Sequence, residues 1–435
     1  MQIVPKIGTA AATAMVISNM VGTGVFTSLG FQLVDIQHCA SILLLWGIGG
    51  CMALCGALVY AELGAALPRS GGEYVYLSVS YHPAIGFLSG VVSVSIGFAA
   101  PAALSSIAFG TYLARVFNLP NPVIPGTVLL CFLTVLHCMN IRMSASVQIA
   151  VTALNVCLIL FFVMAGLSSA SEPFHRLCPL NRSVLDDMMN PAFAVALVYV
   201  TYAYSGWNAA AYFAGDIAQP QTTLPRALII GTVLVAVLYG LLNYTFLATA
   251  PVESLAGQLE IGYICAQNIF GRAGAKIIGS IISLLLLASV SSLVFIGPRI
   301  TKAMGEDIRL LSFFSAVSPR NIPVRAILLQ FSISLLLILT TTFEQALTYV
   351  GFTINLCSLL TVLGVMLHRR RYPDVARPFT IPLYPLPVFV FSAFMLWNLI
   401  YLLYERPQES LAGIATLGCA AIVYSIAHPR QARRI

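Results

Sequence analysis

The chain has 435 residues, 59% of them hydrophobic and only 9% charged, and a formal net charge of +7. A soluble domain carries about a quarter charged residues, so most of this chain cannot face water, and the composition reads as an all-α integral membrane protein with many spans. The basic excess belongs to solvated loops such as 368–378, HRRRYPDVARP, and excludes the need for a nucleic-acid partner.

Scanning for apolar runs near the roughly 20 residues that cross the hydrocarbon gives twelve transmembrane helices: 7–28, 40–67, 83–116, 123–138, 146–167, 192–214, 226–248, 273–296, 324–341, 346–367, 386–403 and 411–427. An even number puts both termini on one side. Lys and Arg in short loops stay on the cytoplasmic side. With the termini inside, the inner face holds 16 of the 22 basic residues, and the outer face holds Arg115, Arg176, Arg182, Arg272, Lys276 and Arg406. Both termini are therefore expected in the cytoplasm and the chain in the cell membrane. The first run begins after a single basic residue, Lys6, and is too long for the apolar region of a signal peptide, so it is expected to stay in the membrane. The ten cysteines are scattered, most of them mid-helix, and read as small buried apolar residues; Cys178 lies in an external loop.

The first run contains MVISNMVGTGVF (15–26), in which Asn19 and Gly22, Thr23, Gly24 interrupt an apolar helix. Such a Gly-x-Gly is either a close helix-packing spot or a break, and a break at membrane depth is tolerated only where it lines a cavity or is buried in protein. The sixth run repeats the disturbance: YVTYAYSGWNAAAYFAGDI (199–217) places Ser205, Gly206 and Asn208 in mid-span. Runs 1 and 6 each open a five-helix set if the first ten helices form two repeats. Interruptions at matching places in two halves point to a midplane binding site. A broken helix offers free N–H groups where it restarts and free C=O groups where it stops. A carboxylate suits the first and an ammonium the second, which together make the backbone of an amino acid.

These residues carry a resemblance. VGTGVF, YAELGAALPRSGGEYVYL (60–77), AYSGWN, IGPRITKAMGED (296–307) and RRYPDVARPFTIPLYPLP (370–387) resemble the amino acid/polyamine/organocation superfamily, close to its L-type and related bacterial amino acid permeases. The resemblance implies a LeuT-type fold. Residues 1–168 would form the first inverted repeat, 190–368 the second, and 384–435 two appended helices and a cytoplasmic tail, with helices 1 and 6 unwound. It implies a substrate carboxylate on the amides of Gly22, Thr23, Gly24 and Val25, an ammonium on the carbonyls of Met20, Tyr202, Ala203 and Ser205 beside Gly206, and Tyr202 as the outer gate.

Two departures bear on coupling. Sodium-independent members often carry a Lys seven residues after a helix-5 Gln, and counting from Gln148 reaches Asn155. Ser291 and Ser292 resemble the hydroxyl pair that coordinates sodium in sodium-coupled relatives, although Ser pairs in membrane helices are also packing contacts. Asn155, Ser291 and Ser292 thus form a candidate ion site, with Na+ or H+ as the coupling ion and no other cofactor or resident metal. Sodium-independent exchange and proton symport remain the alternatives.

The central turns of helices 1, 3, 6, 8 and 10 hold no Asp, Glu, Lys or Arg. A charged substrate side chain there would meet no opposite charge, so a neutral amino acid is expected. Glu62, near the inner end of helix 2, reads as a structural pairing residue rather than a proton relay. A channel or receptor is the competing class; an intramembrane enzyme lacks support, since neither HExxH nor GxGD occurs. The loop 114–122 between helices 3 and 4 has no cysteine, where L-type relatives join an accessory glycoprotein, so no obligatory accessory subunit is expected.

Overall fold

The computed structural model describes residues 7–139, 145–169, 182–318 and 322–426. Several residues named above, including Lys6, Arg142, Arg176, Cys178, Arg320, Arg430, Arg433 and Arg434, lie outside them. Among the described residues the chain is helical, with one isolated backbone bridge between Ile7 and Ile217.

Its helices, in chain order, are α1 Thr9–Met20, α2 Thr23–Asp35, α3 Cys39–Ala66, α4 Glu73–Ser80, α5 Pro83–Phe117, α6 Val123–Cys138 and α7 Ala145–Ser169. Then come α8 Arg182–Met189, α9 Pro191–Tyr204, α10 Ala209–Tyr212, α11 Pro220–Thr249, α12 Val252–Leu255 and α13 Ile261–Asp307. The last four are α14 Val324–Thr340, α15 Phe343–Arg371, α16 Leu386–Glu405 and α17 Pro407–Ile426. Among the described residues nine spans are long and apolar enough to cross a membrane, α1 with α2 counting as one, and α6, α9 and α14 are shorter apolar helices. Each expected run overlaps helix among the described residues, the first and sixth being interrupted. At about 1.5 Å per residue, the 16 residues of α6 fall short of a hydrocarbon core of roughly 30 Å.

Local chemistry sets several of these elements. α15 opens on a capping box in which Thr342 and Gln345 satisfy each other's backbone amides, and it closes on His368, Arg369, Arg370 and Arg371 against the negative end of its dipole. α5 contains a π-helical turn, Ser93–Ala99, just before Pro101. The proline has no N–H to give, and the wider turn absorbs the missing rung. α13 is kinked at Gly271, whose φ of 68° favours glycine.

α11 packs along α3, α1 and α7; α13 lies along α5; α9 touches α2, α3, α15 and α16. Large exposed apolar side chains lie on α6 (Phe132, Val135), α7 (Phe161, Met164), α14 (Leu336, Leu339) and α16 (Leu396, Ile400), which marks these helices as the lipid-facing shell. The helices interrupted in sequence are enclosed by this shell.

Glu62 behaves as a pairing residue. It is bound bidentately by Arg369, with Arg369 Nε at 2.7 Å, and it accepts the Ile381 amide at 2.9 Å, fastening the end of α3 to the segment after α15. One cysteine departs from the expectation of simple packing. Eight described cysteines are free, while Cys39, at the start of α3, is disulfide-bonded. Among the described residues no cluster of His, Cys, Asp and Glu could hold a metal ion.

Candidate functional site

α1 stops at Met20. Val21 is extended (φ −75°, ψ 90°), Gly22 has φ −146° and ψ −140°, and α2 restarts at Thr23. The last carbonyls of α1 and the first amides of α2 therefore have no partner within a helix. The second break is longer. α9 stops at Tyr204 and is followed by tight turns, Ser205 N to Tyr202 O at 2.9 Å and Ala209 N to Gly206 O at 2.9 Å, before the four residues of α10. Gly206 has φ +102°, a conformation that side chains resist.

The breaks face each other at backbone contact. A Cβ added at Gly24 would lie 2.7 Å from Ala203 Cβ and closer still to Ala203 Cα; one added at Gly206 would lie 2.7 Å from Asn19 O. Tyr239 of α11 spans the junction, its hydroxyl 2.5 Å from Met20 O and 3.1 Å from Ala203 O. A phenol has one proton to give, so it can satisfy only one of these carbonyls at a time.

A cavity of about 90 Å³ lies at this junction, well above the roughly 10–15 Å³ that a single water needs. Of the residues expected from sequence, Met20, Gly22, Thr23, Gly24, Tyr202, Ala203, Ser205 and Gly206 line it, while Val25 is buried behind the wall. Tyr202 is buried on the cavity wall, its side chain beside that of Thr23. Thr23 Oγ1 is 2.5 Å from Ser105 Oγ on α5.

The three residues of the candidate ion site are not on this wall. Ser291 faces α6, its hydroxyl 2.9 Å from His137 Nε2. Ser292 is buried, and Asn155 is buried with no hydrogen-bond partner for its Oδ1. The hydroxyl of α13 that does reach the first break is Ser289, 3.0 Å from where a Gly22 Cβ would stand. Ser289 sits two residues before Ser291, and two residues along a helix is more than half a turn, so the two hydroxyls point to different neighbours.

Sequence reading also missed Tyr239 and Glu73. Tyr239 looks like an ordinary apolar-helix aromatic. Glu73 lies in the stretch between the second and third runs, yet it is the single carboxyl on the cavity wall among the described residues, and that wall carries no Lys, Arg or His.

The chain matches the amino acid permease family over residues 7–421. It belongs to that family. Rat large neutral amino acids transporter small subunit 2 is 27% identical over 431 residues, covering 96% of this chain and 80% of the relative. Mouse Asc-type amino acid transporter 1 is 27% identical over 405 residues, covering 90% of this chain and 76% of the relative. The serine/threonine exchanger SteT of Bacillus subtilis is 28% identical over 386 residues, 87% of each chain. This permease is accordingly a multi-pass membrane transporter of amino acids and not an enzyme. The superfamily resemblance carried by its broken helices is thereby shown.

Proposed function

We propose that this permease carries neutral amino acids across the cell membrane by alternating access, with the substrate seated between the two helix breaks. The supporting observation is the backbone contact of those breaks around one cavity. The amides of Gly22, Thr23 and Gly24, with Val25 behind them, suit the substrate carboxylate. The carbonyls of Met20, Tyr202, Ala203 and Ser205 suit its ammonium, with Gly206 making the turn beside them. The ammonium would compete with Tyr239 for Met20 O and Ala203 O, so substrate entry is tied to movement of that hydroxyl. Tyr202, buried beside Thr23, is the residue we assign as outer gate.

A neutral side chain fits because the cavity wall carries a single carboxyl, Glu73, whose oxygens are already occupied by four donors. We read all twelve apolar helices as crossing the membrane in two inverted five-helix repeats with two appended helices, both termini in the cytoplasm. Sodium independence is supported by Ser291, whose hydroxyl is committed to His137. The rat relative is by name a small subunit; we propose that this chain works alone, since 114–122 offers no cysteine for a covalent partner.

The test is counterflow by the purified chain in liposomes, with labelled L-leucine and L-serine outside and unlabelled amino acid inside, with and without sodium. Saturable counterflow of a neutral amino acid that ignores sodium supports this reading. Its absence for every neutral amino acid tried, or passage down a gradient without saturation as through a channel, overturns it.

A further inference from the structure

Glu73 is the first residue of α4, outside the spans, and is only 3% exposed. Its Oε1 accepts hydrogen bonds from Tyr60 Oη at 2.5 Å, Ser358 Oγ at 3.2 Å and Asn208 Nδ2 at 3.3 Å, and its Oε2 accepts one from Ser89 Oγ at 3.4 Å. None of these donors is a cation. Among the described residues Glu73 makes no ion pair, whereas Glu62 has Arg369, Asp307 has Arg69 and Glu344 has Arg406. Burial without a counter-charge pushes the carboxyl above the usual carboxylate range, while the four hydrogen bonds pull it back.

Its surroundings contain no competing charge at neutral pH. Tyr60 of α3, Tyr76 of α4, Tyr212 of α10 and Cys357 of α15 are the titratable groups around it, and by their reference values they are uncharged near pH 7. α5, packed along α4, presents Ser89. The charges near α4 are engaged elsewhere: at its far end Arg371 binds the carbonyls of Ser80 and Tyr81, and near its start Asp307 takes Arg69 and Tyr74, the neighbour of Glu73 in sequence.

One of the four donors differs in kind. The hydroxyls of Tyr60, Ser89 and Ser358 can rotate to accept a bond from a protonated carboxyl, but the Asn208 amide nitrogen can only donate. Asn208 also belongs to the second helix break, beside Gly206 and Trp207 on the cavity wall. Any shift of that break on substrate binding alters the donors available to Glu73, and so its hold on a proton.

Building on the carrier reading above, we propose that Glu73 is the proton site of this permease, with Asn208 linking its protonation to the second helix break and hence to substrate occupancy. In each cycle a proton from water on one face adds to the Glu73 carboxylate and leaves it to water on the other. No other covalent bond changes. Because the coupling is reciprocal, substrate must shift the proton affinity by the same factor by which protonation shifts substrate affinity.

The experiment is an infrared pH titration of the purified protein in lipid, with and without L-leucine and L-serine, on the parent, E73Q and N208A. A carboxyl band present in the parent and missing in E73Q should titrate, and its midpoint should move when amino acid is added. N208A, which removes one donor to the ionised form, should raise the midpoint by about one pH unit. In proteoliposomes an inward acid gradient should stimulate uptake relative to counterflow by the parent but not by E73Q. The proposal is overturned if no titrating band is lost in E73Q, if amino acid leaves the midpoint unmoved, or if E73Q answers the gradient as the parent does. If E73Q does not fold, an unmoved midpoint in N208A overturns it. The titration needs no transport. Counterflow without a titrating Glu73 therefore sinks only the proton site, whereas absent counterflow sinks the carrier reading.

Discussion

The two helix breaks meet at one cavity but are built differently. The first skips two residues, Val21 and Gly22, and resumes as a regular helix of 13 residues whose first residues line the cavity. The second opens at Ser205 with Gly206 at positive φ, resumes for only four residues, and sends Asn208 sideways to Glu73. In the function proposed above, the first break would be the binding end, held by a long helix. The second is a joint, with fewer intrahelical hydrogen bonds to hold its position, and it is the break wired to a titratable group. Segments with few backbone bonds and short helices sit at the low-stability end of a fold. On the proposed function, the contrast would give recognition of the carboxylate mainly to the first break and movement mainly to the second.

The largest effect should come from Gly206→Ala. Positive φ strain of about 1–3 kcal/mol adds to the approach of a Cβ to Asn19 O, so stability in detergent should fall by about 3 kcal/mol or more and counterflow should be lost. A folded, transporting G206A would show that the second break is not held by its glycine. Next in size is Gly24→Ala, about 3 kcal/mol from overpacking against Ala203. Here the double variant with A203G should recover only part of the loss, because the Ala203 Cα is itself in the way. Full recovery would mean that the two backbones can separate freely.

Tyr239→Phe should cost about 1–2 kcal/mol, since the carbonyls of Met20 and Ala203 lose a shared donor. The same variant should gain more thermal stability on adding substrate than the parent does, as an ammonium takes the vacated position; an equal gain would detach Tyr239 from the binding site. The smallest change is expected from Ser291→Ala, about 1 kcal/mol from the lost bond to His137. Uptake should show the same indifference to sodium before and after; a sodium response that disappears in this variant would restore the ion site to α13.

Gly-Thr-Gly and Ser-Gly-Trp-Asn could be read as interruptions because glycine and hydrogen-bonding side chains stand out in an apolar run, and both are breaks in the structure. The wall of the cavity was legible for the same reason, with Val25 the one residue placed a step too far. The hydroxyls of α13 were not legible in register: a Ser-Ser pair in sequence does not say which hydroxyl faces which neighbour, and it is Ser289 that lies by the first break while Ser291 meets His137. Glu73 was hidden by its position between runs, where an acid looks like part of a solvated loop. Glu62, expected to pair rather than relay protons, is paired with Arg369.

By itself the sequence determined the membrane environment, the positions of the helices and the places where two of them break. Apolar run length and the rarity of charge are properties of a chain read one residue at a time. Only the tertiary structure decided that Gly24 meets Ala203, that Tyr239 bridges two carbonyls, that Ser289 rather than Ser291 reaches the break, and that Glu73 enters the cavity wall. Each of these depends on which faces of distant helices are turned toward one another, and contacts between residues hundreds of positions apart leave no periodic trace in a single chain.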